Sequence, residues 1–350
     1  MAKNYNEIIK EYSNYDIDWN LLKDKTIMIS GITGLIGRFF ADLIMEKNKS
    51  DDLNCTVVGL CRNINKANEI FEKNKNLIIC EQDVTKRIEY NGNVDYVIHA
   101  ASNTHPVQYA TDPIGTIKTN VYGTNNLLEF SKEHNVDKFI LLSSFEVYGK
   151  VDNIDKISED NFGIVDCTVP RSCYPESKRL SESLAIAYST QENVNVSIIR
   201  LSRVFGPTMA LSSSLATAQF IKNAIDDNDI VLKSDGTQLY SYNYVGDAVT
   251  AIITVLLKGE KNGVYNVSDE AYDLHLKDFA QIVSDYNHKS VIYDLPDDVE
   301  KRGFSNSVMT VLDSSKLKDL GWKPLGDIKT DINDTINVLK YKKNNNKNLS

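Results

Sequence analysis

Short apolar runs alternate with longer, helically periodic stretches along most of the chain. Lys25 to Ser30, Cys55 to Leu60, Asn76 to Cys80, Val94 to Ala101, Phe139 to Ser144 and Val194 to Leu201 are the short runs. Unbroken apolar runs of that length predict strands buried on both faces. Helices are expected between them, at Arg38 to Met45, Ile64 to Lys73, Pro113 to His134 and Tyr174 to Thr190. A short helix and turn, Glu7 to Tyr12 and Asp16 to Leu22, leads into the first strand. Such alternation predicts a doubly wound parallel sheet with helices on both sides.

The pattern changes after Gly206-Pro207. A helix is expected from Ser213 to Asp226 and a strand from Ile230 to Lys233. A second helix opens at Tyr244-Val-Gly-Asp247 and runs to Leu257, followed by a strand from Gly263 to Val267. From His275 to Leu339 helices mix with one strand near Val291. Residues 1–205 and 240–270 are read as the nucleotide-binding body, and 206–239 with 271–340 as a smaller α/β substrate-binding domain. That domain is expected to close over the carboxyl edge of the sheet, where open α/β sheets bind ligands. The tail from 341 to 350, rich in lysine and asparagine, is expected to be disordered.

Composition narrows the class. The 350 residues are 42% hydrophobic and 25% charged, the balance of a globular protein. A net charge of −9 gives no reason to expect nucleic acid as a partner. Cys55, Cys61, Cys80, Cys167 and Cys173 are odd in number and show no Cys-x-x-Cys spacing. That argues for reduced thiols in a cytoplasm, and against a disulfide framework or zinc site. No apolar run approaches the ~20 residues that span a bilayer. The polar start, Met-Ala-Lys-Asn-Tyr-Asn-Glu, does not read as a secretory signal.

The first strand runs straight into Gly31-Ile-Thr33-Gly34-Leu35-Ile36-Gly37, and a helix follows. Strand, glycine turn and helix are the context of a dinucleotide-binding Rossmann turn. Glycines let the backbone approach a pyrophosphate, and the helix N-terminus offers N–H groups and partial positive charge. The spacing Gly-x-x-Gly-x-x-Gly differs from the usual Gly-x-Gly-x-x-Gly. A second pattern, Tyr174-x-x-x-Lys178, places a phenol and an ammonium one helical turn apart. A free phenol titrates near ~10. A nearby ammonium lowers that, so the pair would serve as proton donor and acceptor. Taken alone it reads rather as a common surface pair.

Together the motifs resemble those of extended short-chain dehydrogenases/reductases of the nucleotide-sugar epimerase/dehydratase type. The likeness runs from about Lys25 to Tyr341. It is carried by the glycine turn, Asp83-Val84, His99-Ala-Ala101, Asn120-Val-Tyr-Gly-Thr124 and Ser143-Ser144-Phe-Glu-Val-Tyr-Gly149, with Tyr174-x-x-x-Lys178, Arg200 and Gly206-Pro207. Asp112 to Asn120 and Arg171 to Glu182 are similar to the UDP-glucuronate decarboxylase branch. The resemblance implies that Gly31, Thr33, Gly34, Leu35, Ile36 and Gly37 hold the pyrophosphate. It places Asp83 and Val84 at the adenine and Ala100, Ala101 and Ser102 along the path to the nicotinamide, with Asn120 nearby. Lys178 would bind the nicotinamide ribose and lower the pKa of Tyr174. Tyr174 would move a proton while hydride passes between a sugar carbon and the nicotinamide, with Ser144 on the same oxygen. Dimers of this family resemble a four-helix bundle, so a homodimer through Pro113–His134 and Tyr174–Thr190 is expected.

Departures from the family pattern carry their own expectations. The second strand ends Gly59-Leu-Cys61-Arg62, without the carboxylate that usually binds a ribose 2′-hydroxyl. Arg62, helped by Arg38, would suit a 2′-phosphate, so NADP(H) is favoured over NAD(H). Phe145 stands where related dehydratases carry a proton-donating aspartate. Tyr240 stands where decarboxylases carry an arginine, and Thr208 replaces a second arginine. Arg203 replaces an asparagine and, with Lys233, is expected to take the substrate's phosphates. Glu146 reads either as a general base or as a satisfied buried carboxylate, and His105 either as substrate-facing or as a surface residue. Cys173 reads as packing rather than nucleophile. The leading reading is net reduction of a nucleotide-linked keto sugar or polyol in surface polysaccharide synthesis. A 4-epimerase, then a decarboxylase, then a non-enzymatic cofactor sensor follow.

Overall fold

The computed structural model describes residues 2–104, 106–294 and 309–347. The chain opens with α1 (Tyr5–Ser13), where Asn4 and Glu7 cap each other's backbone N–H groups. A 3-10 turn, Trp19–Leu22, follows. Strands and helices then alternate: β1 (Thr26–Ser30), α2 (Leu35–Asp51), β2 (Thr56–Cys61), α3 (Ile64–Ile70), β3 (Leu77–Glu81), β4 (Tyr96–His99), α4 (Pro106–Thr111), α5 (Pro113–Glu133), β5 (Lys138–Ser144), α6 (Cys173–Gln191) and β6 (Val196–Leu201). The second half contains β7 (Arg203–Phe205), α7 (Ala216–Ile225), β8 (Ile230–Leu232), β9 (Leu239–Tyr244), α8 (Val245–Lys258) and β10 (Val264–Val267). It ends with β11 (Asp273–His275), α9 (Leu276–Asp285), β12 (Val291–Tyr293), β13 (Met309–Thr310), α10 (Ser315–Asp319) and α11 (Ile328–Lys347).

Seven strands form one parallel sheet in the order β3-β2-β1-β4-β5-β6-β10. Side chains alternate between its two faces. Ile27, Ile29, Ile140 and Leu142 join one core with Phe39, Phe40 and Leu43 of α2 and with α8. Met28, Val97, Phe139 and Leu141 join the other with Leu127, Leu128 and Phe130 of α5 and Ala185 of α6. Strand order reverses between β1 and β4, which opens a crevice at their carboxyl ends. The glycine turn after β1 and the segment Ala100–Ser102 after β4 flank that crevice.

A smaller sheet contains β11, β9 and β13, with β7 paired to β9, while β12 pairs with β8. β7 and β9 were expected in the nucleotide-binding body, and the structure moves both out of it. Their aromatic side chains explain this. Tyr242 stacks on Phe279 at 4.8 Å, and Phe205 meets Phe279 edge-on at 5.5 Å, so both strands bury their rings against α9. α8 and β10 stay with the large sheet.

The tail also differs from the expectation. α11 continues to Lys347 rather than ending in disorder at 341. Lys342 explains part of this: its Nζ donates to the Pro207 carbonyl at 3.2 Å and lies 4.5 Å from the centre of the Tyr5 ring. Lys343 pairs with Asp226. Polar composition concealed those partners. His105 lies outside the described residues.

Where α8 meets the C-terminal segment, two carboxyls are buried together. Asp247 accepts from the backbone N–H of Leu325 at 2.8 Å and of Gly326 at 3.3 Å, and Tyr272 donates to Asp331. Tyr12, Tyr244, Asp269, Asp334 and Lys3 surround the pair. Burial pushes Asp247 up to about 7 and Asp331 up to about 8. In the unfolded chain both return to ~3.9. The folded state therefore binds more protons between those values, and stability is lost as pH rises from ~4 to ~8. Asp331→Asn should remove part of that slope: its melting temperature should fall less than the wild type's between pH 6 and 8.5. Parallel melting curves for the two proteins would refute the assignment.

Candidate active site

The glycine turn leaves room for a ligand because side chains there would collide with backbone. Gly31 has φ +75°, and a Cβ on it would sit 3.0 Å from Ala101 Cα. A Cβ on Gly37 would run into the Gly31 carbonyl. Gly34 is the N-cap of α2 and supplies no side-chain cap, so Leu35, Ile36 and Gly37 present helix-start N–H groups to the crevice. This cradle suits a pyrophosphate. Thr208, where a substrate-binding arginine was the family expectation, instead donates to the Leu35 carbonyl at 2.7 Å and braces the turn.

The far end of the crevice is organised by Ser30 and His99. Ser30 Oγ accepts from Ala100 N at 3.1 Å and Ala101 N at 3.0 Å, so its own proton goes to His99 Nδ1 at 2.8 Å. That leaves the histidine proton on Nε2. Burial, with the Lys178 charge adding to it, pushes His99 down to about 3, so the ring is neutral. The pair fixes the Ala100–Ala101 turn beside the crevice. Ser102 Oγ donates to Asn120 Oδ1 at 2.7 Å, and Asn120 Nδ2 donates to Ser177 Oγ at 2.8 Å, which joins that turn to α6.

Tyr174, Lys178 and Glu182 recur every four residues on α6 and face the sheet. Lys178 Nζ donates to the Leu142 carbonyl at 2.8 Å. Burial pushes its pKa down to about 8, with Glu182 opposing. Ser144 ends β5, and the Ser144 and Ser102 hydroxyls pull the Tyr174 phenol pKa down against its burial. The structure thus brings together Ser144, Tyr174 and Lys178. It corrects one expectation: in the protein alone the phenol is raised, not lowered, by burial first and by the Glu146 charge second. Lys178 spends its ammonium on Leu142 instead.

Glu146 is held bidentately by Arg171, with Nη1 at 3.0 Å and Nη2 at 3.3 Å. Both carboxylate oxygens thus have a partner. Cys173 is buried, with its Sγ 3.8 Å from the Tyr109 carbonyl, in keeping with packing. Arg203 lies between two rings, 4.2 Å from the centre of Phe145 and 3.4 Å from that of Tyr240. Lys233 is not in that sandwich; it pairs with Asp294 at 2.6 Å at an exposed edge.

At the adenosine end, Arg62 is exposed, within the electrostatic reach of Asp83. Asp83 Oδ1 caps Thr85, accepting from its N and Oγ1 at 2.9 Å each. Asn126 Nδ2 donates to the Val84 carbonyl at 2.9 Å, which fixes that strand end. Arg38 does not join Arg62 as expected. Its guanidinium lies 5.6 Å from the Tyr5 ring centre and 3.6 Å from Asp42, because α1 covers the start of α2.

Several site residues escaped the sequence reading. Tyr109 of α4 stacks on Tyr174 with centroids 4.7 Å apart, yet a lone tyrosine in a short helix gives no signal. Arg171, three residues before Tyr174, was visible without a role. Glu81 was hidden because its place depends on register: it sits opposite Cys61 and brings a carboxylate to the end of β2. Among the described residues, no group of three or more His, Cys, Asp or Glu is placed to hold a metal. No helix there is long and apolar enough to cross a membrane.

Comparison with known proteins agrees with this geometry. UDP-glucuronic acid decarboxylase 3 of Arabidopsis thaliana is 31% identical over 307 residues, 85% of this chain and 84% of that protein. UDP-glucuronic acid decarboxylase 1 of Xenopus tropicalis is 28% identical over 319 residues, 90% of this chain and 72% of that protein. A crystal structure of UDP-glucuronic acid 4-epimerase from Bacillus cereus, in complex with UDP-glucuronic acid and NAD, has the same fold. It shows a TM-score of 0.77 at 22% identity and covers 91% of this chain and 99% of its own. Residues 27–268 match the family described as NAD dependent epimerase/dehydratase. With its Rossmann sheet, glycine cradle and Ser144-Tyr174-Lys178 cluster, the chain belongs to the NAD dependent epimerase/dehydratase family of nucleotide-sugar-modifying enzymes.

Proposed function

We propose that this enzyme transfers hydride at a carbinol or keto carbon of a nucleotide-linked sugar or polyol, with Tyr174 moving the proton. One observation carries the reading. The Tyr174 phenol, within the influence of the Ser144 and Ser102 hydroxyls, stands one turn from Lys178 and is buried away from bulk water. The nicotinamide, when bound, supplies the hydride acceptor or donor. The residues do the rest: Ser144 and Ser102 orient the substrate oxygen, and Tyr174 holds its proton. Lys178 would bind the nicotinamide ribose hydroxyls. Excluding water protects the reacting carbon and strengthens each hydrogen bond.

Net reduction of a keto compound is the preferred direction. Burial keeps the phenol protonated at neutral pH, which suits donation to a developing alkoxide. A redox-neutral reaction, 4-epimerisation or decarboxylation with retained cofactor, is the second reading, favoured by the decarboxylase relatives. Phe145 does not argue against decarboxylation, because a carboxylate β to a ketone leaves as carbon dioxide without an acid at that place. The two readings separate in one assay. A reductase consumes NAD(P)H in step with a keto substrate. A redox-neutral enzyme converts UDP-glucuronic acid or a similar compound with no net change at 340 nm.

Cofactor form turns on the adenosine end. Exposed Arg62 supports NADP(H), while Glu81 opposite Cys61 supports NAD(H) through a ribose hydroxyl. We favour NADP(H) for the reductase. The remaining expectations, a cytoplasmic enzyme of surface polysaccharide synthesis acting as a homodimer, fit a nucleotide-sugar substrate. The dimer has support in the α5–α6 face, where Ile114, Ile117, Tyr122 and Leu180 are exposed by 66, 41, 51 and 52%.

Three outcomes follow. Tyr174→Phe should lower kcat ~10³-fold or more while leaving cofactor affinity within ~3-fold, since only proton transfer is removed. Retained activity in that variant would end the proposal. Gly34→Ala adds a Cβ 3.1 Å from the Gly31 carbonyl. It should weaken NAD(H) binding ~10-fold or more in a fluorescence titration with little change in melting temperature; unchanged binding would move the pyrophosphate elsewhere. Arg62→Ala should cut NADPH affinity ~10-fold, the scale of a charge-assisted bond, and leave NADH unaffected. Equal effects on both cofactors would remove Arg62 from the 2′-position.

A further inference from the structure

Arg203 is the most unusual charge in the cleft. It follows β6 by two residues and begins β7, in register with Tyr242 of β9. Its guanidinium carbon lies over both the Phe145 ring, at 4.2 Å, and the Tyr240 ring, at 3.4 Å. Burial lowers its pKa, and the Tyr240 and Tyr242 phenols offset part of that effect. Its Nη1 is shut away from solvent and has no hydrogen-bond partner among the described residues. A buried charged donor without an acceptor is costly.

The neighbouring charges do not supply that acceptor. Glu146 lies within electrostatic reach of Arg203, but both its oxygens are taken by Arg171. Arg171 repels Arg203. Arg171 and Glu146 neutralise one another and leave Arg203 as the uncompensated positive charge on this side. The location is also specific. Phe145 directly follows Ser144, and Glu146 is felt by both Tyr174 and Arg203. Through Phe145, the next residue after Ser144, Arg203 on the small sheet is tied to the end of β5.

We propose that Arg203, preorganised between Phe145 and Tyr240, is the oxyanion receptor of the substrate cleft and closes on a phosphoryl or carboxylate oxygen of the nucleotide-linked substrate. The chemistry is that of a planar cation whose free N–H edge matches a two-oxygen anion. Stacking holds the plane in place before the ligand arrives, so little side-chain freedom is lost on binding. Lys233, held at an exposed edge by Asp294, is not part of this receptor. The proposal rests on the nucleotide-sugar reading given above and adds the residue that recognises the anion.

Calorimetric titration of the full chain, wild type and Arg203→Met, with UDP, UDP-glucose, UDP-glucuronic acid and NAD tests it. The expected loss in the variant is ~10- to 100-fold, with NAD affinity unchanged. An equal loss for all three uridine ligands supports the receptor and identifies its anion as the diphosphate. A loss confined to UDP-glucuronic acid supports it and identifies a sugar carboxylate. Unchanged affinity for all three, or a matching loss for NAD, overturns it. A wild-type protein that binds NAD and none of the uridine ligands fails the nucleotide-sugar reading with these ligands, and the receptor falls with it. Arg203→Lys keeps the charge without the planar fork, so it should lose part of the affinity. If the methionine variant does not fold, the lysine variant is judged by the same outcomes.

Discussion

The site depends on how α6 is fastened to the sheet. Glu182 takes Arg200 through two bonds, Nε at 3.1 Å and Nη2 at 2.7 Å, and also accepts from Ser143 Oγ at 2.5 Å. One turn earlier, Lys178 donates to the Leu142 carbonyl. These bonds reach β5 and β6 together, and so fix the distance from Tyr174 to Ser144. Removing one partner of a buried, hydrogen-bonded ion pair costs roughly 3–5 kcal/mol. Arg200 extends the fastening. It bonds the Tyr148 hydroxyl at 3.1 Å and the Glu159 carbonyl at 3.0 Å, and Tyr148 donates to Asn266 of β10 at 2.6 Å. One connected polar network thus runs from the catalytic helix to the sheet edge.

The burial that gives this precision also sets protonation. A phenol in a dry site resists ionisation, so Tyr174 moves up, and an ammonium resists it equally, so Lys178 falls to about 8. The two shifts have one cause and opposite consequences. The proton stays on the phenol. Alcohol oxidation would start from the opposite charge state, so it needs a further positive charge near Tyr174. Lys178 does not provide that charge alone, since its ammonium is directed at a backbone carbonyl.

The large sheet was legible because its strands are short and mostly apolar, and the helices between them carry a clear period. The glycine turn was legible for the same local reason: residues 31 to 37 suffice to define it. Ser144, Tyr174 and Lys178 were legible through motif order, although Ser144 and Tyr174 lie 30 residues apart and meet only through the β5–α6 packing. What failed to show were relations between strands. Glu81 becomes relevant only through its register with Cys61. β7 and β9 left the nucleotide-binding body because their rings find Phe279, a contact invisible to periodicity. Arg38 and Lys342 were misread for a similar reason, because α1 folds back to present Tyr5 to both.

Those relations also separate general machinery from particular chemistry. Ser144, Tyr174, Lys178 and the glycine cradle belong to β1, α2, β5 and α6, whose geometry is tied to the main sheet. Arg203 and Tyr240 belong to β7 and β9, which pair with each other and not with that sheet. Phe145 begins the 3-10 turn after β5 and meets Arg203 across the cleft. Substitutions on β7 and β9 therefore reshape the substrate wall without moving the phenol or the lysine. The ring at 240 supplies a flat face where a second cation would have repelled Arg203. The ring at 145 supplies the opposite face where a carboxylate would have neutralised it. Phe145, Arg203 and Tyr240 thus form one structural unit, and its consequence is a buried guanidinium nitrogen left without a partner among the described residues.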